Sequence, residues 1–327
     1  MKTAVILFSM GGPASLDAVR PFLFRLFMDP AILRVPFIPR LMLAAFITFR
    51  RTKEAKKNYQ QMGGHSPLLE NTQAQAQALE NFLNKPNEGA YRCFVGMSYA
   101  PPYIRETVAA VKNYAPDRIV LLPLYPQFST TTSASVLRDA KKELLAQGLG
   151  QTPVSTIDNF CEEGGFITAT RSLAQEAARR AQTHGEPKFL FSAHGRPLSI
   201  VAAGDPYPAQ CGQTMEAVLR GWEGEKPTDP VLCYQSRVGG GEWLQPYTLA
   251  EMISAAQAKR PIVVVPLAFV CEHSETIVEL GLDYKKKALE AGTPFVEIVQ
   301  TVGVAPVFIE GLAHLVQKSA GNTRENL

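Results

Sequence analysis

The chain has 327 residues, 46% of them hydrophobic and 19% charged, with a formal net charge of +3. This composition describes a globular chain long enough for two lobes, and the charge is too small to point to nucleic acid. No apolar run is long enough to span a bilayer, and Met1-Lys2-Thr3 enters a strand directly, so neither a membrane span nor a leader peptide is expected. The five cysteines (Cys93, Cys161, Cys211, Cys233 and Cys271) form no CxxC pair, which points to reduced thiols and a cytoplasmic setting.

In chain order, strands are predicted at 3–9, 92–98, 118–124, 152–157, 187–193, 231–236, 261–267 and 294–299. Helical patterns at 69–84, 103–114, 134–147, 165–182 and 246–258 separate most of them, and a last helix is expected over about 305–318. Alternation of strand and helix implies parallel sheets with right-handed crossovers. The eight strands read as four used twice. AVILFSMGG at 4–12 parallels FLFSAHG at 189–195, and RCFVGMSYAPP at 92–102 parallels VLCYQSRVGGG at 231–241. RIVLLPLYPQFSTTTSAS at 118–135 parallels PIVVVPLAFVCEHSETI at 261–277, and TPVSTIDNF at 152–160 parallels TPFVEIVQT at 293–301. The expected fold is therefore α/β, with two similar doubly wound lobes (1–160 and 161–327). Each has a four-stranded parallel sheet flanked by helices, and a cleft is expected where matching strand ends meet.

The duplication exposes an insertion. The first two strands of lobe one start 88 residues apart (4 to 92), and their counterparts 44 apart (187 to 231). The extra segment, about 18–65, carries Phe22, Phe24, Phe27, Phe37, Phe46 and Phe49. Within 18–57 it holds nine Lys/Arg against two acidic residues. A basic, aromatic flap suits a flat apolar ligand with carboxylate tails, and equally a peripheral contact with an anionic membrane surface.

Two strand ends carry the candidate chemistry. Phe189-Leu190-Phe191 stops at Ser192-Ala193-His194-Gly195, placing His194 where open α/β sheets bind ligands. The strand at 261–267 runs into Cys271-Glu272-His273-Ser274-Glu275, followed by Glu279 and Asp283. Glu275, Glu279 and Asp283 at i, i+4, i+8 would form one row on a helix. Repelling carboxylates beside an imidazole suit a divalent cation or proton traffic.

Together SAHG (192–195), AFVCEHSET (268–276), LPLYPQFS (122–129) and MGGP (10–13) resemble the ferrochelatases, which insert Fe(II) into a porphyrin. RRT (50–52), GGHSP (63–67) and QSRVGGGEWL (235–244) join them, and the resemblance runs from about residue 3 to about 315. It implies a chelatase-like fold whose last helix packs back on the first lobe. It also implies a lyase of haem biosynthesis, with Fe(2+) as substrate metal and no organic cofactor. Some members hold a [2Fe-2S] cluster on C-terminal cysteines. No cysteine follows residue 300, so that cluster is not expected.

The resemblance makes His194 the base or iron ligand and Glu275 its partner. Glu279, Asp283 and His273 continue the metal or proton path. Porphyrin contacts fall to Met10, Arg51, Tyr59, Ser66, Tyr99, Phe128 and Trp243. Coproporphyrin III members tend to carry tyrosine at the position of Met10, so Met10 and the apolar flap imply protoporphyrin IX. Ser98 stands where relatives often have Arg or Lys, His65 interrupts a run of glycines, and Phe128 replaces a frequent tyrosine. The competing readings are a coproporphyrin III ferrochelatase, a non-catalytic two-lobed porphyrin- or metal-binding protein, and a dinucleotide enzyme. The last is disfavoured because no GxGxxG follows a strand.

Overall fold

The computed structural model describes residues 1–85, 90–237 and 240–321. Two positions of the QSRVGGGEWL run, 238 and 239, lie outside the described residues. In chain order the elements are β1 (Lys2–Ser9), α1 (Val19–Met28), α2 (Phe37–Gln60), α3 (Leu68–Leu83), β2 (Ala90–Met97), α4 (Ile104–Tyr114), β3 (Arg118–Pro123), α5 (Ser133–Ala146) and β4 (Val154–Thr156). There follow α6 (Gly164–Gln182), β5 (Lys188–His194), α7 (Leu198–Ala202), α8 (Tyr207–Arg220), β6 (Val231–Gln235), α9 (Thr248–Gln257) and β7 (Ile262–Pro266). A π-helix, π1 (Glu275–Tyr284), then leads through α10 (Lys285–Glu290) and β8 (Val296–Ile298) to α11 (Pro306–Gly321).

The strands form two four-stranded, all-parallel sheets, ordered β2-β1-β3-β4 and β6-β5-β7-β8. This is the duplicated α/β architecture expected from the sequence. In both sheets the central strands are buried along nearly their whole length and mostly apolar rather than alternating, because helices cover both faces. Thr3–Ser9 and Ile262–Pro266 are accordingly buried throughout.

The chain divides into two compact units. Unit 1 comprises Met1–Tyr125, Ser129–Asn159 and the chain from Ile309, and unit 2 comprises Pro126–Phe128 and Phe160–Phe308. The three residues Pro126–Phe128 join unit 2 for a local reason. Gln127 Nε2 donates to Thr214 Oγ1 and the Leu267 carbonyl, and the Phe128 N–H donates to Gln210 Oε1.

The ladders fix how the halves correspond. The Leu124 N–H donates to the Phe8 carbonyl, and the Leu267 N–H donates to the Ser192 carbonyl. Phe8 therefore matches Ser192, and Met10 matches His194, one step away from the alignment suggested by the shared Phe-Ser letters. Adjacent strands agree. The Met97 N–H reaches the Pro102 carbonyl as the Tyr234 N–H reaches that of Pro246. Met97 thus matches Tyr234, and Tyr99 matches Ser236.

Within the expected insertion stand α1 and α2. They pack their apolar faces into a cluster of Val19, Phe22, Leu23, Phe27, Ala44 and Tyr59, which also takes in Tyr99 and Ala100 beyond β2. The opposite face of α2 is not buried. Phe37, Ile38, Met42, Phe46 and Phe49 are exposed, from 59% at Phe46 to 75% at Phe49. No described helix is long and apolar enough to cross a membrane.

Candidate active site

The site in unit 2 is built where β5, β6 and β7 end. His194 is the last residue of β5, and the chain turns away at once through Gly195. The Gly195 N–H donates to the Gln235 carbonyl at 2.7 Å, and a Cβ at Gly195 would lie 2.8 Å from that same oxygen. Only glycine fits, and the tight approach sets the position of the preceding imidazole. Trp243 packs over the turn, with ring carbon Cε3 3.4 Å from where that Cβ would be.

Facing His194 is π1. The Lys285 N–H at its end reaches back five residues to the Leu280 carbonyl, the i→i+5 pattern of a π-helix. The carboxylate row expected on an ordinary α-helix is thus carried on a wider one, a form that recurs at functional sites. The first turn is capped by an imidazole. The Glu275 N–H donates to His273 Nδ1 at 3.0 Å, and the His273 ring stands edge-on to Phe269 with centroids 4.4 Å apart. Burial lowers the His273 pKa, so the ring stays neutral, with its proton on Nε2 and its Nδ1 lone pair committed to the cap.

Glu275 Oε2 lies 2.7 Å from His194 Nδ1. Burial would raise the Glu275 pKa, but the imidazoles of His194 and His273 beside it, with a hydrogen bond from Ser236, hold it below the usual carboxylate range. An ionised Glu275 accepts the His194 Nδ1 proton, and this leaves Nε2 with a lone pair.

Glu279 behaves oppositely. Burial, and then the negative charge of Glu275, raise its pKa against the hydrogen bonds from Ser236 and Tyr284. Its Oε1 accepts from the Ser236 N–H at 3.0 Å and from Tyr284 Oη at 2.8 Å. Gln235 Nε2 lies 3.3 Å from Glu279 Oε2 and 3.3 Å from the Glu275 carbonyl. That amide is itself held by Ser192, whose Oγ donates to Gln235 Oε1 at 2.7 Å and also bonds to Thr248 Oγ1.

Ser236 joins the two acids. It has a positive φ of 64°, an uncommon backbone state for a residue other than glycine. Its Oγ lies 3.0 Å from Glu275 Oε2 and makes a short contact with Glu279 Oε2. A hydroxyl has one proton and cannot donate to two carboxylates at once. Both contacts are hydrogen bonds only if one acid carries a proton and donates it to Oγ while Ser236 donates to the other. Burial and the negative charge of Glu275 favour Glu279 over Glu275 as the acid that holds it. The result is a continuous chain of hydrogen bonds: His194, Glu275, Ser236, Glu279, Tyr284.

Not every expected residue joins this chain. Asp283 is exposed. Among the described residues, no three His, Cys, Asp or Glu side chains converge into a metal-holding group. Gln235 and Ser236 lie inside a motif singled out in the sequence, but no signal marked them as the organisers of the acids. Tyr284 was not legible either.

The residues expected to grip a porphyrin divide between the units. In unit 1, Met10 packs on the α1–α2 cluster that contains Tyr59 and Tyr99. Tyr99 is buried, with its hydroxyl on Asp29 at 2.7 Å. Ser66 is buried against Gly12, where an added Cβ would fall 2.3 Å from Ser66 Oγ. Arg51 is half-buried, and among the described residues no hydrogen bond or ion pair engages its guanidinium. In unit 2, Phe128 is half-buried and Trp243 buried. Among the described residues the cysteines form no disulfide, and burial raises the thiol pKa of Cys211 and of Cys233 to about 12.

Comparison with known proteins agrees with this architecture. A family profile described as ferrochelatase matches residues 2–320. A protein from Caulobacter vibrioides named ferrochelatase is 44% identical over 321 residues, covering 98% of this chain and 91% of its own. One from Wolbachia sp. subsp. Drosophila simulans, also named ferrochelatase, is 42% identical over 319 residues, covering 96% and 98%. Among solved structures, SirB from Bacillus subtilis with Fe3+ superposes with a TM-score of 0.59 at 11% identity, covering 98% of this chain and 97% of that one. That likeness shows the chelatase-like fold. With a family match over nearly the whole length and relatives above 40% identity, the chain belongs to the ferrochelatase family, whose members insert iron into a porphyrin in haem synthesis.

Proposed function

We propose that this chain is a protoporphyrin ferrochelatase, a lyase in which His194 takes the pyrrole protons and the Glu275–Ser236–Glu279 chain carries them away. The reaction breaks two N–H bonds, forms iron–nitrogen bonds and releases two protons, with no change of oxidation state. His194 Nε2 is the acceptor because Nδ1 is already committed to Glu275. For the proton to move on, Glu275 must become the donor to Ser236 Oγ, and the hydroxyl must turn its own proton to Glu279. Glu279 has then to be ionised, so it must shed its resting proton to solvent first. The observation that carries this reading is the single Ser236 hydroxyl within reach of both acids. Ferrous iron is the substrate metal. We assign its approach to the carboxylates of Glu275 and Glu279 in turn; the His194 lone pair can meet the ion only before it accepts a pyrrole proton, because one lone pair cannot hold both. Asp283 would serve as an outer, solvated carboxylate, and His273 would hold π1 in place.

On the porphyrin side, the uncommitted guanidinium of Arg51 suits a propionate. Met10 presents an uncharged thioether against the apolar α1–α2 cluster, which favours the vinyl-bearing protoporphyrin IX. Phe128 and Trp243 supply aromatic surface in unit 2, while Tyr59, Ser66 and Tyr99 shape the unit 1 side. The exposed apolar face of α2, a helix that also carries Arg40 and Arg50, fits peripheral contact with an anionic membrane surface by a cytoplasmic protein.

Anaerobic incubation with Fe(II) and either porphyrin tests the assignment. Haem should form with a higher kcat/KM for protoporphyrin IX than for coproporphyrin III; the reverse order would overturn the substrate. Sedimentation with vesicles containing anionic lipid should retain the chain, and Phe46→Ser with Phe49→Ser should release it.

A further inference from the structure

Tyr99, the unit 1 counterpart of Ser236, also ends on a carboxylate, and this one has no place in the chemistry above. Asp29 caps the C-terminus of α1 and is only 8% exposed. Its Oδ1 accepts the Ala31 N–H at 2.7 Å. Its Oδ2 accepts Tyr99 Oη at 2.7 Å and Ser135 Oγ at 2.8 Å. Arg138 stands further off, 3.9 Å from Oδ1, and donates to Ser135 Oγ at 3.0 Å. Every close partner of Asp29 is a donor. An asparagine, with one acceptor atom and a donor amide, could not satisfy them. A buried carboxylate is costly unless it is compensated in this way, so the arrangement requires a reason.

The geometry supplies one. Asp29 lies in the connection between α1 and α2, Tyr99 follows β2, and Ser135 is in the first turn of α5. The Tyr99 ring is part of the α1–α2 apolar cluster, edge-on to Phe22 with centroids 6.5 Å apart. One side chain thus anchors the inserted helix pair twice, by ring and by hydroxyl. Asp29 ties the same pair to two elements of the unit 1 framework. A further polar tie from this connection to the loop before α5, Arg34 Nη2 to Thr130 Oγ1 at 3.4 Å, is exposed.

We propose that Asp29 is a positioning residue for the porphyrin: through Tyr99 and Ser135 it clasps α1–α2 to unit 1 and so sets the placement of Met10 and Arg51. The proposal rests on the porphyrin reading above. It predicts that loosening the clasp weakens substrate grip without touching the proton chain.

The test uses the full chain with Asp29→Asn, the milder Ser135→Ala, and Tyr99→Phe. Backbone hydrogen exchange should speed up by about tenfold or more across 19–60 in all three, with β1 and β3 unchanged. In Asp29→Asn and Ser135→Ala, the KM for protoporphyrin should rise about five- to tenfold, with kcat within twofold and the KM for ferrous iron unchanged. Unchanged exchange in 19–60, or faster exchange extending through β1 and β3, would overturn the clasp. A fall in kcat at constant porphyrin KM would overturn the positioning role. If the unsubstituted chain makes no haem, it is the functional reading that fails. Exchange, together with a porphyrin absorbance titration, then still decides the clasp: equal porphyrin affinity in Ser135→Ala and the unsubstituted chain would count against it.

Discussion

The two units share a scaffold and differ in what they hang on it. Both order their strands alike and bond the residue after the third strand back to the first in the same way. At the matched strand-end position one presents Met10 and the other His194. Just beyond the neighbouring strand, Tyr99 meets a carboxylate delivered by an insertion, and Ser236 meets two delivered by a π-helix. In unit 1 the carboxylate accepts from three neutral donors, with the Arg138 guanidinium 3.9 Å away. In unit 2 the acids are packed against each other and an imidazole, which drives their pKa values apart. A strand end thus offers a place for chemistry, and the residues brought to it decide whether it is used for chemistry or for holding a substrate.

The sharpest way to break this comparison is to exchange matched positions for alanine. His194→Ala should cut iron insertion by about a thousandfold or more, because no other imidazole meets Glu275 with a free Nε2. Met10→Ala should lower kcat/KM for protoporphyrin by about tenfold or less, chiefly through KM. Glu275→Gln should match the histidine variant in turnover while porphyrin still binds, as judged by its shifted absorption band. Equal losses at positions 10 and 194 would end the functional distinction between the units.

A second prediction concerns the opposed acids. If the relay needs Glu279 ionised, turnover is present above its raised pKa and is lost as pH falls through it. The acid limb of the pH–rate profile should therefore lie above the ordinary carboxylate range. Glu279→Gln should lower turnover by about tenfold to a hundredfold and shift that limb. Ser236→Gly tolerates the positive φ while deleting the hydroxyl, and should reproduce the loss. Stability provides an independent sign. Between the ordinary pKa and the raised one, the folded chain keeps a proton that the unfolded chain has released, so stability falls as pH rises across that window. Glu279→Gln should flatten this dependence in chemical denaturation. A slope unchanged by the substitution would place the raised pKa elsewhere.

Much of the framework was legible because it is written in local pattern. Apolar runs marked the central strands, and the repetition of their pattern announced the duplication and placed the outer strands. The register of that duplication was not legible. The shared Phe-Ser letters align Ser9 with Ser192, whereas backbone bonds to a third strand align Phe8 with it. His194 stood out because a polar residue that ends a buried strand is conspicuous, and Glu275 because it opens a row of carboxylates. Ser236 and Gln235 did not, since their role depends on acids about 40 residues away that meet them only after folding. The i, i+4 spacing of Glu275 and Glu279 reads the same on an α-helix as on a wider one, so π1 was hidden as well. The commitment of the Tyr99 hydroxyl to Asp29 was hidden too, because composition does not show where a hydroxyl is spent.

The smallest predicted effect lies at the opposite ends of the strands, where the two units become alike in kind. There an aspartate ties down a strand start in each. Asp117 Oδ2 accepts the Lys2 N–H at 2.6 Å, and Asp229 accepts from Lys188 Nζ at 2.6 Å and from both terminal nitrogens of Arg260 at 2.8 and 2.9 Å. The hydrogen bond from Arg260 outweighs burial and, with Lys188, holds the Asp229 pKa at about 2. With the folded pKa depressed, the stabilisation is present above the ordinary carboxylate pKa and is lost as pH falls toward 2. The Asp229 side chain is 45% exposed, so screening leaves about 1 kcal/mol or less. Asp229→Asn should therefore lower stability by about that amount at neutral pH, and the difference from the unsubstituted chain should vanish in acid and shrink in high salt. Iron insertion should be untouched, because nothing at these strand ends reaches His194 or its acids. If Asp229→Asn altered kcat, the two ends of the unit 2 sheet would be coupled, and the separation between a framework end and a chemical end would fail.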